Sequence, residues 1–592
     1  MVSIPYCTNK TIADMEKNSQ LPPTLQSSDN YYDLGTYERR VTTNSPEAQL
    51  WFNRGLVWAY SFNHEESVRC FEKAALYDPN CAMAFWGVAY SAGPNYNKAW
   101  VRFDRDDLEH SVQRSKVALG RALSLADQVS PVERDVIRAL AARFPTAEIP
   151  TNLKTLNDAY AEAMRPVYHA YPRDRDVIAL FVDGLMCRRP RDLWNVDTGE
   201  PSDPLTVEAR TVLESGLARR DGYDQPAFCH LYIHLMEMSP FPEIALPAAD
   251  RLRHLVPEAS HMLHMGSHID IAVGDYRRVV SSNHDAMIAD DKYFSREKGS
   301  ILYTAYRAHN IYAKVYGAIM CGRFKDAISA ARRLHDILNV EILSIKSPPM
   351  ADWTEGILSI LPHVLVRFGR WDDVLSLELP TDRELFCSTT AMILYARGIA
   401  HSVLGHIEQA ERAQSEFEAA RAKVPDSRLN SLPSKEVDVL RVASAMLQGE
   451  LEYRKGNIES AFCSLRKAVE FEDAIPYCDP PAWMQPVRHA LGALLLEQNR
   501  IEEAEQAFRE DLGLSETYPR RRARVNNVWG LHGLYECLIR SGKHKEALLL
   551  RNQRDFALAS ADTSITASCY CRLSTCADNE TTCCSASAKS TL

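Results

Sequence analysis

AQLWFNRGLVWAYSFNHEESVRCFEKAALYDPNC, residues 48–81, decides the fold of this 592-residue chain. It reads as two amphipathic helices joined by a tight turn, with Pro79 closing the unit. Trp51, Gly55 and Trp58 fall on the first helix, and Ser67, Phe71 and Ala74 on the second. Small residues belong where two helices approach closely, and large ones fill the groove between them. One such pair cannot bury its apolar face alone, so the reading demands stacked neighbours of the same kind.

Those neighbours recur along the chain in degraded form. Gly398, Gly405 and Ala410 repeat the pattern in YARGIAHSVLGHIEQAERA, and Gly449, Gly456, Ala461 and Ala468 in LQGELEYRKGNIESAFCSLRKAV. Leu491, Gly492, Ala504 and Phe508 carry it in ALGALLLEQNRIEEAEQAF, and Gly542 and Ala547 in GLYECLIRSGKHKEALLL. VYGAIMCGRFKDAISAA, near 315–331, has the same turn and second helix. A helix-turn-helix of 34 residues is the tetratricopeptide (TPR) signature. The expected fold is therefore all-α, a TPR-like helix-turn-helix solenoid wound as a right-handed superhelix over residues 46–555. Residues 105–300 are helical in pattern but leave the 34-residue period, with Gly-Pro-Asn and other Pro-rich breaks between helices. Residues 1–45 read as a loosely ordered segment with the linker-like stretch NSQLPPTLQSSDN, and 556–592 as a disordered Ser/Thr/Cys-rich tail.

Composition excludes several functions. Hydrophobic residues make up 46% and charged residues 25%, as in soluble globular proteins. With a formal net charge of -10 and no long basic block, nucleic-acid binding is not expected. No secretory leader and no apolar run long enough for a membrane span are read, so the expected location is cytoplasmic. Ten of the fifteen cysteines are scattered singly inside helical patterns, as reduced core residues are. The other five (Cys569, Cys571, Cys576, Cys583 and Cys584) crowd the tail in a spacing that matches no paired C-x2-C zinc site. A functionally neutral tail is preferred there to soft-metal binding. No phosphate loop, dinucleotide fingerprint or Gly-x-Ser-x-Gly elbow is present.

The chemistry-bearing feature is a run of imidazoles. Six of the eighteen histidines lie between residues 230 and 268. His230 and His234 are four apart, with Glu237 about one turn on, while His261, His264 and His268 sit at i, i+3 and i+7. Imidazoles at helical spacing face the same way and can chelate one divalent transition metal, with a carboxylate or a neighbouring helix completing the set. His230, His234, His261, His264 and His268 are the candidate metal ligands. His230, Glu237, His64 and His309 are the candidate catalytic residues. The zinc-protease signature is absent, because no glutamate is placed as required between His230 and His234. The competing account is a structural polar network between helices; His254 falls outside both stripes and reads as surface.

Weaker constellations accompany it. His64 and Glu65, with Asn95 and Asn97 in the GPNYN turn, could line the same cavity, although Asn and Gly are ordinary turn residues and His64 occupies a usually exposed inter-helix position. His309 with Asn310, and Asp479, Trp483, Arg488 and His489 around a Pro-Pro bend, could hold an apolar acid; capping and core packing explain them more simply.

FNHEESVRCFEKAALYDPNCAMAFWGVAYSAGPNYN, HLYIHLME, HMLHMGSHI, the His309-Asn310 pair and PPAWMQPVRHALGALL together resemble a family of large TPR proteins of bacteria and fungi. The resemblance spans roughly residues 45–550. It implies an accessory or tailoring role in secondary-metabolite pathways for some fungal members. The chain departs from that family at Gly266, where proline is common, in the basic insert TYPRRRARVNN, and in the Cys-rich tail. Two readings follow. One is an accessory or tailoring component of small-molecule biosynthesis using a His/Glu metal or acid/base site, with a small-molecule ligand or pathway protein as partner. The other is a non-catalytic protein-protein interaction scaffold.

Overall fold

A computed structural model describes residues 31–146, 149–297 and 301–573. Its secondary structure is helical throughout, and among the described residues β-pairing is limited to the isolated bridges Trp194–Pro201 and Leu429–Lys435. The first pair is Pro46–Tyr60 and His64–Tyr77. Ser45 caps the first helix by accepting from the Ala48 amide (3.1 Å), with Pro46 at the first helical position and Glu47 in the first turn. Asn63 caps the second through Glu66 (3.2 Å).

The pairs Ile301–Met320 with Phe324–Ile337, Cys387–Val403 with Ile407–Arg421, Glu436–Arg454 with Ile458–Asp473, Val487–Glu497 with Ile501–Asp511, and Val528–Arg540 with His544–Leu558 repeat the plan. The packing rule is visible at two rings. A Cβ at Gly55 would lie 2.8 Å from the Phe71 ring, and one at Gly87, on the next helix, 2.5 Å. Phe508 is clasped the same way by Gly492 and Gly533, at 2.4 and 2.3 Å. The turn inside each pair also follows one rule: a residue with positive φ precedes the cap of the second helix. Gly322, Gly405, Gly456, Asn499 and Gly542 take that place, and Phe62 takes it in the first pair with φ 57°.

The chain divides into two compact units, one from Met1–Leu193, Ser202–Leu235 and Asp250–Leu263, the other from Trp194–Pro201, Met236–Ala249 and His264–Leu592. In the first, residues 31–45 pack against the helices that follow. Tyr31 meets Trp51 and Tyr32 meets Trp58 edge to face (5.1 and 5.6 Å), and Arg39 pairs with Asp174 and Asp176 at 2.8 Å each. In the second, the last helix runs through Leu558, beyond the expected start of the tail at 556. Ile565, Ala567 and Cys571 are buried beyond it, and Arg572 pairs with Glu536 at 2.7 Å. Cys569 and Cys571 meet as a disulfide, while Cys576, Cys583 and Cys584 lie outside the described residues. No helix among the described residues is long and apolar enough to cross a membrane.

Candidate functional site

Each unit holds three close imidazoles. In the first unit His230 and His234, one turn apart on the helix Pro226–Met236, meet His261 in the opening turn of Ser260–Val273. All three are buried, with one ring nitrogen of each within 4.8 Å of the others. The Tyr60 carbonyl lies 2.6 Å from His230 Nδ1. A carbonyl only accepts, so Nδ1 carries the proton and Nε2 is the basic nitrogen. Phe62 covers the group, with ring centroids 4.4 Å from His230, 5.9 Å from His234 and 5.7 Å from His261. Tyr96 lies 4.8 Å from His234.

The GPNYN turn splits between the two roles weighed for it. Asn95 is a turn former, its Oδ1 accepting from the Asn97 and Lys98 amides (2.9 and 2.7 Å). Asn97 reaches the site, its Nδ2 3.4 Å from His261 Nε2. His64 corrects the expectation of an exposed position: it is the first residue of His64–Tyr77 and is buried. Its ring faces Phe62 and Tyr90, at 6.4 and 6.2 Å. The loop before it is buried as well, because Phe62 turns inward. Burial pushes the His64 imidazole down to about 4; the Lys98 and Arg143 charges act in the same direction, against hydrogen bonds to the Gly93 and Ser91 backbone.

In the second unit His264 and His268, one turn apart on Ser260–Val273, meet His309 of the helix Ile301–Met320. His264 Nε2 is 2.9 Å from His268 Nε2 and 3.1 Å from His309 Nε2. The outer nitrogens are anchored. Asn283 Oδ1 is 2.7 Å from His264 Nδ1, and its Nδ2 donates to the Val279 carbonyl (2.9 Å), which fixes the amide's orientation. Glu237 accepts a hydrogen bond from His268 Nδ1, and Asp479 Oδ2 is an ion-pair contact at 3.1 Å. Burial opposes a charge on His268, but the Glu237 and Asp479 carboxylates outweigh it and hold the ring up to about 10. Burial, then the His309 and His268 charges, keep His264 well below the usual imidazole range. Asn310 turns away to Asp290, 2.9 Å distant.

The later constellation separates in the same way. Trp483 is core, edge-on to His363 and Tyr395 (4.7 and 5.7 Å), and Arg488 pairs with Asp473 and Glu510 (2.8 and 3.0 Å). His489 is held by Asp511 at 2.8 Å. Asp479 alone joins the imidazoles. It also lines a cavity of about 50 Å³, together with Trp483, Tyr477 and the Arg521, Arg522 and Arg524 side chains of the basic insert. His254 is exposed, as read. Sequence reasoning missed Phe62 and Asn283. Phe62 left one signal: an aromatic residue where the other helix pairs show glycine or asparagine.

A tetratricopeptide-repeat model matches residues 48–81. No curated protein matches the chain. Among solved structures it is similar to the APC/C hetero-tetramer Cut9-Hcn1, at 12% identity over 88% of this chain and 94% of that chain, with a TM-score of 0.26. It is similar to Naa15/Naa10 bound to HypK-THB, at 12% identity over 86% of this chain and 70% of that chain, with a TM-score of 0.22. It is also similar to the P58(IPK) TPR domain, at 13% identity over 71% of this chain and 99% of that chain, with a TM-score of 0.17. At these TM-scores the three likenesses carry no argument about function.

Proposed function

We propose that the chain is a protein-interaction scaffold of the tetratricopeptide type. The observation that carries this reading is the series of stacked helix pairs that begins with the matched repeat at residues 48–81. Stacked repeats of this kind present extended surfaces to peptides and helices, and their energetics depend on neighbouring units rather than on one catalytic centre. The test is a purified partner that forms a stoichiometric complex with the full chain by size-exclusion chromatography. The complex is expected to survive His234→Ala and His264→Ala. A complex lost in both variants, with their fold intact by circular dichroism, counts against a surface that works independently of the imidazoles.

A second reading is favoured by the two groups of buried histidines: metal-assisted or acid/base chemistry on a small organic molecule, as the accessory or tailoring role implied by the family resemblance would require. Clusters of perturbed, buried titratable groups are a functional signature, although structural networks produce them too. On this reading the protein binds one divalent transition metal, and His230, His234 and His261 or His264, His268 and His309 serve the chemistry. Elemental analysis of the purified protein tests it. The absence of any stoichiometric transition metal, together with unchanged function in His234→Ala and His264→Ala, removes it.

A further inference from the structure

The second reading leaves open which imidazoles hold the metal, and the geometry of the second unit answers that. Three Nε2 atoms converge there, with His264 Nε2 2.9 Å from His268 Nε2 and 3.1 Å from His309 Nε2. Ligand nitrogens about 2.0–2.1 Å from a tetrahedral metal are separated from one another by about 3.3 Å, so this spacing is close to that of a coordination face. The tautomers are set from outside. Asn283 presents its oxygen to His264 Nδ1, because its amide nitrogen is committed to the Val279 carbonyl. His268 Nδ1 donates to Glu237. Each Nδ1 therefore carries a proton, and the Nε2 atoms of His264 and His268 face a common region. Two nitrogens this close share a cation, either a proton or a metal ion that takes its place.

The surroundings match what metal-bound imidazoles need. Ligating histidines characteristically donate their second N–H to a carboxylate or amide oxygen, which orients the ring and raises its basicity. Glu237 and Asp479 also place negative charge beside the group, where a dication is offset. His309 is only half-buried, unlike His264 and His268, and offers the side from which an ion enters. The first unit's group is less accessible: its three rings are buried, and Phe62 covers them.

We infer that His264, His268 and His309 bind one divalent transition metal through their Nε2 atoms, with Asn283, Glu237 and Asp479 as the outer partners that orient the rings. This inference rests on the second reading. Nitrogen donors of this kind suit zinc, cobalt, nickel, copper or iron rather than magnesium or calcium. Three protein ligands leave a fourth position for water or a substrate atom.

The full chain, stripped with a chelator and reloaded with Co2+, provides the test. One cobalt per chain is expected by elemental analysis, with the intense visible bands of a four-coordinate site. His268→Ala and His309→Ala are expected to lose the ion, and His230→Ala and His234→Ala to keep it. Circular dichroism checks that each variant is folded. Glu237→Gln, which conserves volume, guards against simple misfolding: it is expected to weaken retention about 10–100-fold and to shift the cobalt spectrum. Cobalt lost from His230→Ala and His234→Ala but retained by His268→Ala and His309→Ala overturns this assignment and leaves the second reading standing. No cobalt retained by the wild-type chain overturns this assignment and the metal-assisted form of the second reading, and assigns the convergent nitrogens to a shared proton.

Discussion

Phe62 occupies a backbone position that glycine or asparagine fills at Gly322, Gly405, Gly456, Asn499 and Gly542, and it does so at φ 57°. A bulky L-residue in the left-handed region carries strain of about 1–2 kcal/mol. The ring's contacts with His230, His234 and His261 are what hold it there. Phe62→Gly removes the strain but also the ring. Losing a buried phenylalanine costs about 3–5 kcal/mol and relief of strain returns about 1, so the variant should be less stable by about 2–4 kcal/mol. Urea unfolding measures this; an unchanged or raised midpoint would show that the ring contributes nothing. His64, next but one, makes a pH prediction. Its unfolded pKa is near 6.5 and its folded value about 4, so between those values the unfolded chain binds more protons. The neutral ring's stability is intact above pH 6.5 and is lost as pH falls toward 4, by about 2 kcal/mol at pH 5. The urea midpoint of His64→Gln should fall less between pH 7 and pH 5 than that of the wild type. Parallel curves would assign the acid sensitivity to other groups, such as His363, which burial pushes down to about 3.

At the scale of the helix pair, the repeat was legible because its physics is local. Glycines facing a ring across two helices leave a periodic mark, and Gly55 with Phe71 and Gly492 with Phe508 carry it in the sequence. The next helix supplies the second glycine of each clasp, Gly87 or Gly533. Gly533→Ala should cost about 1–3 kcal/mol by overpacking, because its Cβ would fall 2.3 Å from the Phe508 ring. Phe508→Leu should recover part of that loss in the double variant, and additive effects in a double-mutant cycle would contradict the clasp. Other features left no periodic mark. His309 joins His264 across 45 residues, and Asp479 reaches His268 from a Pro-rich loop, so no local pattern pairs them. The imidazole spacing identified the candidate rings, but contacts distant in sequence decided how they group. His64 departs from the repeat pattern: the inter-helix position is usually exposed, and the inward turn of Phe62 buries it. Residues 31–45 are aperiodic, yet two tyrosines and Arg39 tie them down.

Across the whole molecule, scaffold and metal centre make different demands that one chain can meet. Interaction surfaces use exposed side chains, whereas the candidate ligands His264 and His268 are buried and His309 is half-buried. A ligand that binds only the folded chain stabilises it by mass action, with no need for a catalytic role. Metal at about a hundred to a thousand times its dissociation constant should add about 2.7–4.1 kcal/mol. In a chain of this size, that corresponds to a rise of a few degrees in the thermal midpoint. Chelator-treated protein should therefore melt below protein reloaded with Zn2+ or Co2+, and His268→Ala should melt at the same temperature with and without the ion. Binding to the unfolded chain would shrink the shift through the other histidines and cysteines, but it would do so equally in His230→Ala. The comparison of His268→Ala with His230→Ala thus isolates folded-state binding at the second unit's imidazoles. Equal shifts in the two variants would mean that the ion stabilises the protein from somewhere else.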